Sequence, residues 1–307
     1  MTRAPASDPA PIALFAYRRP EHLRRTVESL RANPEAAQTR LVVFCDAAGR
    51  PEHEDGVAAV RAHLERLEGF AAVEIVHRPR NLGLAGNILD GVGRLVEQCG
   101  RVIVVEDDLL VSPHFLRFMN DGLSLYAQEP RVASIHGYTY PVAQSLPETF
   151  FLRGADCWGW ATWRRAWQHF RLDGAALLAE LKDQGLLADF DLDGSYAYSR
   201  MLRDQIAGRN DSWAVRWHAA CYLDNLLTLY PGRSLVHNIG NDASGTHGED
   251  RDVYTQLPTP EPIAVSPLPL QPSDEARSAF VQYFRSLKPG PVQRLGRALR
   301  RLTRAAA

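Results

Sequence analysis

Four apolar, β-branched runs constrain this chain more than any other feature. They begin at Ile12 (IALFAY), Leu41 (LVVFCD), Val73 (VEIVHR) and Val102 (VIVVED), so the starts fall 29, 32 and 29 residues apart. That is about the length of a strand–helix–strand unit. Between them, Leu23, Val27 and Leu30 share one helical face, Val57, Val60, Leu64 and Leu67 a second, and Ile88, Val92 and Leu95 a third. Strands that are apolar at every position are covered on both faces. The pattern therefore predicts an α/β fold with a parallel, doubly wound sheet over residues 10–140, helices on both sides, and ligands gathered at the carboxyl ends of the strands.

Beyond the fourth run, Ser112 and Pro113 read as the cap and first position of a helix reaching about Gln128, and VASIHGY reads as a fifth strand. From about residue 148 the chain becomes aromatic-rich (TFFLRG, WGWATWRRAW, LTLYPGRSLVHNIG) and is expected to supply the second wall of a cleft. Residues 257–272 hold six prolines in sixteen positions, which favours an extended strap.

With 307 residues and 45% hydrophobic content, the chain can bury a substantial core. No run approaches the roughly 18 uncharged apolar residues of a spanning helix, and residues 1–11 lack the apolar stretch of a secretory signal, so a cytoplasmic protein is expected. Cys45, Cys99, Cys157 and Cys221 are far apart and form neither a disulfide framework nor a zinc ribbon pattern. Residues 276–307 contain eight basic residues and no acid, which leaves residues 1–275 with 27 basic against 36 acidic residues, a balance of -9. Such a body is unsuited to nucleic acid. In the tail, Val292, Leu295, Leu299 and Leu302 share a helical face bordered by arginines. This pattern suits either an anionic membrane surface, with the protein peripheral at the inner face, or packing against protein.

The chemistry concentrates at Glu106, Asp107 and Asp108, three consecutive acids directly after an apolar strand. Adjacent carboxylates repel one another and need a counter-charge to share one place. Hard oxygen ligands suit Mg2+ or Mn2+, and a metal held by one or two carboxylates keeps positions open for phosphates. A solvated turn is the plain alternative. On a parallel sheet, Tyr17 and Arg18 after the first strand and Asp46 at the end of the second belong to the same edge. The segment Arg78–Asn87, with Asn81 and its glycines, follows the third strand and could contact a base, a ribose and a diphosphate. Trp158 and Trp160 either stack on a sugar face as an acceptor platform or pack in the core. AYRRPEH has no glycine, which removes dehydrogenases and methyltransferases, and the glycine-rich, lysine-bearing loop of sugar-nucleotide synthesis is missing.

These residues resemble a known family, the inverting, metal-dependent GT-A glycosyltransferases. The likeness is to bacterial family-two-like members and, more distantly, to the Golgi N-acetylglucosaminyltransferases that initiate complex N-glycans. It covers about residues 11–248 and rests on IALFAYRRP, FCDAAG, RNLGLAGN, VVEDDLLVSPHF, the WGW segment and NIGNDASGTHG. It implies a GT-A type, Rossmann-like, mostly parallel sheet with an acceptor-side subdomain. The division would be a nucleotide-sugar half (1–140), an acceptor and catalytic half (141–256), a proline-rich strap (257–275) and a basic amphipathic tail (276–307).

By resemblance, Asp108 would bind the metal bridging the donor's phosphates, and Asp107 and Glu106 would hold the ribose or the metal's waters. Asp46 would accept from a uracil or thymine imide, which favours a UDP- or dTDP-sugar. Tyr17, Arg18, Arg78, Asn81 and Asn87 would line the nucleotide pocket, and His247 would sit near the diphosphate or metal. Asp211, in Asn-Asp-Ser-Trp, resembles the base-bearing Asp-Asp-Trp stretch, although Ser212 stands in place of the second acid; Asp156 is the runner-up base. The implied activity is hexosyl or N-acetylhexosaminyl transfer to a glycan or lipid-linked acceptor in cell-surface polysaccharide or glycolipid assembly. A non-catalytic nucleotide-sugar- or carbohydrate-binding homologue is the alternative.

Overall fold

The computed structural model describes residues 8–242 and 252–288. Ten strands are present in it: β1 (Ile12–Ala16), β2 (Arg40–Cys45), β3 (Ala72–His77), β4 (Arg101–Glu106), β5 (Leu109–Val111), β6 (Val132–His136), β7 (Thr149–Arg153), β8 (Trp160–Trp163), β9 (Leu227–Pro231) and β10 (Val236–Asn238). The helices that matter for the site are α1 (Pro20–Arg31), α2 (Glu54–Leu64), α3 (Gly83–Cys99), α4 (Phe115–Leu125), α5 (Arg164–Trp167), α6 (Gly174–Asp183), α7 (Leu187–Phe190), α8 (Tyr198–Ile206), α9 (Trp213–Leu223) and α10 (Asp274–Ser286).

Eight strands form one sheet in the order β3-β2-β1-β4-β8-β6-β9-β7. β1 to β4 are parallel, β8 and β7 run against the rest, and β6 and β9 return to the direction of β4. The architecture is thus α/β, with a mostly parallel, Rossmann-like sheet flanked by helices. The chain steps outward from β1 to β3 and then crosses back to β4 on the other side of β1, and that reversal leaves a crevice at the carboxyl ends of β1 and β4.

Burial explains the strands. All five residues of β1 are buried, as are Leu41–Cys45 of β2 and Val102–Val105 of β4. Each large aliphatic side chain taken out of water contributes roughly 1.5–3 kcal/mol. The three helical faces read from the sequence bury Leu23, Val27 and Leu30, then Val57, Val60 and Leu64, then Ile88, Val92 and Leu95 against this sheet. Gly91 belongs to the last face, and a β-carbon there would stand 2.7 Å from the Phe15 ring, so glycine is what lets α3 lie close to the sheet.

Four features depart from the expected pattern, the first being α4, which starts at Phe115 after a cap at His114 and ends at Leu125, not running from Pro113 to Gln128. β3 is an edge strand and only half buried, with Glu74 held by Arg40 and Arg94, whereas its apolar run suggested cover on both faces. The short β5 and β10 pair antiparallel in a small second sheet. Residues 276–286, counted with the tail by charge, lie in α10, which buries Ala276, Ala279, Phe280, Val281 and Phe284 against the body. The amphipathic pattern from Val292 onward lies outside the described residues. Among those described, no helix is long and apolar enough to cross a membrane.

Candidate active site

The acids leave β4 at the crevice. In register, Glu106 stands beside Phe15, one residue from the end of β1. Asp107 is nearly buried: Tyr17 N donates to its Oδ2 at 3.1 Å, Arg19 donates to Oδ1 at 2.6 Å, and the Thr26 hydroxyl donates to its carbonyl at 2.8 Å. Asp108 receives the same Arg19 nitrogen at 2.7 Å on Oδ2, and Ile239 N donates to its carbonyl at 2.8 Å. The β5–β10 pairing brings in Ile239 and Gly240, and places Asn238 opposite Leu109.

One guanidinium therefore faces three carboxyl groups. Burial, followed by the charges of Asp108 and Asp107, pushes the Glu106 carboxyl up to about 8, with Arg19 opposing. Burial also raises Asp107 against the pull of Arg19. Burial works against the Arg19 charge as well, but the two aspartates outweigh it and hold the guanidinium above its ordinary value. With one guanidinium against Asp107 and Asp108, negative charge is left over that fits a further cation, and such a cation would favour the ionised form of Glu106 as well. Among the described residues no three His, Cys, Asp or Glu side chains converge into a closed metal cage. Asp107, with 5% of its side chain exposed, is the enclosed acid, while Asp108, at 14%, and the partly exposed Glu106 each keep an outward edge. The set thus fits a divalent ion held by one or two carboxylates with phosphate oxygens completing the shell.

Around the crevice, Asp46 closes β2 with 4% exposure. Its Oδ1 accepts from Ala47 N and Leu82 N, both at 2.9 Å, while Asn81 donates to the Ala47 carbonyl at 2.6 Å. One carboxylate therefore ties the loop after β2 to the segment after β3. The Tyr17 hydroxyl meets His53 Nδ1 at 2.7 Å and accepts from Gly49 N at 2.9 Å. The Arg18 backbone packs closely on α2: a β-carbon on Gly56 would lie 2.6 Å from the Arg18 carbonyl oxygen.

Two residues expected in the nucleotide pocket are used elsewhere. Asn87 is 3% exposed; it donates to the Phe44 carbonyl at 3.2 Å and accepts from Arg78 Nε at 2.8 Å. Arg78 also pairs with Asp90 at 2.5 Å and lies over the Phe44 ring. Both tie α3 to β2, and this corrects their assignment to the ligand. Trp160 is a second correction. It is fully buried and packs on Trp213, Trp167 and Trp217 with ring centroids 5.4–6.3 Å apart, so no sugar can stack on it. Trp158 is only partly buried and lies edge-on to Tyr138 and Tyr254.

Asp211 stands just before α9 with 70% of its side chain exposed, 3.8 Å from Arg216. Ser212, not Asp211, caps α9 by accepting from Val215 N, which leaves the aspartate unused as a cap. A β-carbon on Gly83 would lie 3.8 Å from Asp211 Oδ2, so the acid borders the start of α3 at the crevice edge. Asp156 turns the other way, into an aromatic cluster, where it accepts from Tyr198 at 3.2 Å and Tyr230 at 2.9 Å. Its neighbour Cys157 lies toward Glu106, and burial, with that acid's charge, raises its thiol well above the ordinary value. His247 lies outside the described residues.

The sequence reading passed over Arg19 and Gly240. The signal for Arg19 was Pro20: a proline at the first helical position makes the preceding residue the cap, which sets it at the strand edge.

Fold and site together define an α/β protein with a carboxylate-rich crevice at the carboxyl ends of β1 and β4. No family model matches the chain, and no curated protein matches it. Among solved structures it is similar to the mannosyltransferase PcManGT from Pyrobaculum calidifontis, solved in complex with GDP-Man and Mn2+. The identity is 15%, the TM-score 0.38, and the match covers 70% of this chain and 71% of the other.

Proposed function

We propose that this chain is an inverting glycosyltransferase that moves a sugar from a nucleoside-diphosphate sugar to an acceptor hydroxyl. The observation that carries the reading is the Glu106–Asp107–Asp108 triplet at the carboxyl end of β4, with more negative charge than Arg19 offsets. Asp108, aided by Glu106, would hold Mn2+ or Mg2+ together with the donor's phosphates. When bound, such an ion offsets charge gathering on the departing diphosphate. Arg19 stands where it can offset the same charge. Asp46, Tyr17 and Asn81 form the rim for base and ribose, with UDP or dTDP favoured through an imide N–H donated to Asp46.

Asp211 is the proposed base. Its carboxylate takes the acceptor's proton as the oxygen bonds to the anomeric carbon and the bond from that carbon to the diphosphate oxygen breaks on the opposite face. His247 is proposed to close over the diphosphate, Trp158 to border the acceptor, and the basic tail to rest on an anionic membrane where a glycan or lipid-linked acceptor is extended.

A non-catalytic binder is the second reading, favoured by the double ion pair of Arg19, which already answers two acids without a metal. Incubation with Mn2+ and a panel of nucleotide sugars separates the two. The transferase reading expects slow donor hydrolysis that Asp108→Ala abolishes together with Mn2+-dependent nucleotide binding. Hydrolysis unchanged in that variant overturns the metal assignment, and binding without hydrolysis leaves the binder.

A further inference from the structure

We propose that a second cavity, on the far side of residues 154–159 from the acids, binds an uncharged, hydroxyl-rich ligand of the pyranose class. The cavity measures about 360 Å3, at the small end for ligand sites, and fits one or two sugar rings. It runs from Arg153, the last residue of β7, and Asn225, just before β9, inward to Asp156 and Tyr230. Because β9 runs in the direction of β4, Asn225 lies at the sheet edge opposite Glu106. The inference does not depend on the donor reading of the acids.

The charges of the wall select the ligand. Its two arginines are committed: Arg277 pairs with Asp189 at 2.6 Å and Asp193 at 2.8 Å, and Arg153 donates to the Tyr222 carbonyl at 2.7 Å while lying 4.2 Å over that ring. An anion would meet Asp156, Asp189 and Asp274. An ammonium group would meet both arginines beside those same acids, so the mixed wall favours neither sign of charge throughout. Asp156 is held by two tyrosine hydroxyls rather than by a cation and keeps acceptor capacity. A sugar hydroxyl both donates and accepts, so it serves carboxylate, amide and guanidinium alike. The rings of Tyr198, Tyr222 and Phe280 supply flat apolar area for the C–H face of a pyranose.

Saturation-transfer NMR on the full chain tests this, with neutral methyl pyranosides and disaccharides as probes and glucuronate and glucosamine as charged arms. Two variants change exposed lining groups without a new clash: Asp274→Asn, and Asn225→Gly, which keeps the left-handed φ of +52°. Saturation of a neutral sugar is expected, with affinity reduced about tenfold in each variant, the worth of one hydrogen bond to a polar ligand. Binding of UDP with Mn2+, measured on the same samples, is expected to be unchanged. Overturning results are no signal from any neutral sugar, binding of the charged arms only, or undiminished binding in both variants. Loss of UDP binding in the parent chain would instead count against the donor reading alone.

Discussion

Gly240 and Asp108 are packed so closely that a β-carbon on the glycine would fall 2.1 Å from Asp108 Oδ2 and 3.0 Å from the Arg19 guanidinium. No side chain fits there without moving the acid from its place. Gly240→Ala is therefore expected to weaken Mn2+-dependent nucleotide binding tenfold or more, about 1.4 kcal/mol, with little change in melting temperature because the residue lies on the surface loop after β10. Calorimetric titration measures it; unchanged affinity would show that Asp108 need not stay where it is.

Arg19 is the counter-charge for Asp107 and Asp108. Replacing it by methionine leaves buried carboxylates unpaired, and a loss of about 3 kcal/mol in unfolding free energy is expected. Mn2+ alone should restore more stability to Arg19→Met than it adds to the parent chain, since the ion no longer competes with a guanidinium. Thermal melts with and without Mn2+ decide this, and equal metal effects on the two proteins would refute it.

Asp211 and Asp156 make opposite predictions for transfer. Asp211 borders the crevice, and Asp211→Asn should leave donor binding intact while lowering the transfer rate by about 100-fold or more. Asp156 faces the aromatic cluster, and Asp156→Asn should change that rate less than about threefold. Single-turnover rates with saturating donor measure both, and a reversed order would move the base to Asp156.

Two buried histidines oppose folding as the pH falls. Burial lowers His136 from the ordinary 6.5 to about 4, with Asp156 opposing, and lowers His218 in the same direction against Asp156 and the Ala155 backbone. The unfolded chain thus takes up these protons before the folded one. The histidine contribution is full above about pH 6.5 and falls as the pH drops toward 4, at up to about 1.4 kcal/mol per pH unit for each histidine, while the raised Glu106 carboxyl contributes an opposite slope up to about pH 8. Urea unfolding of the parent chain and of His136→Gln at pH 7.5, 5.5 and 4.5 isolates the histidine contribution, because the Glu106 slope is common to both: the parent should lose stability relative to the variant as the pH falls, and a difference independent of pH would refute this.

Much of the frame was legible because it is local. The spacing of β1 to β4 and the three helical faces follow from residues near one another in the chain, and burial bears them out. What escaped depends on distant partners. Arg19 reaches Asp108 across 89 residues, and nothing in the pair Arg18–Arg19 says which one turns inward. β5 and β10 have three residues each, too few for a period to show, yet their pairing is what brings Gly240 to the acids. Trp160 and Asn87 carry groups that serve ligand or interior equally well. Only the ring of tryptophans around one, and the Phe44 carbonyl beside the other, decide the matter.

The carboxylate of Asp46 has a mechanical consequence. By holding the amides of Ala47 and Leu82 at once, it makes two neighbouring loops move as a single body, so the rim beside β2 and β3 is assembled before anything arrives. On the proposed donor reading, little order would remain to be imposed there by an incoming base, because the Asp46 carboxylate is already held in place.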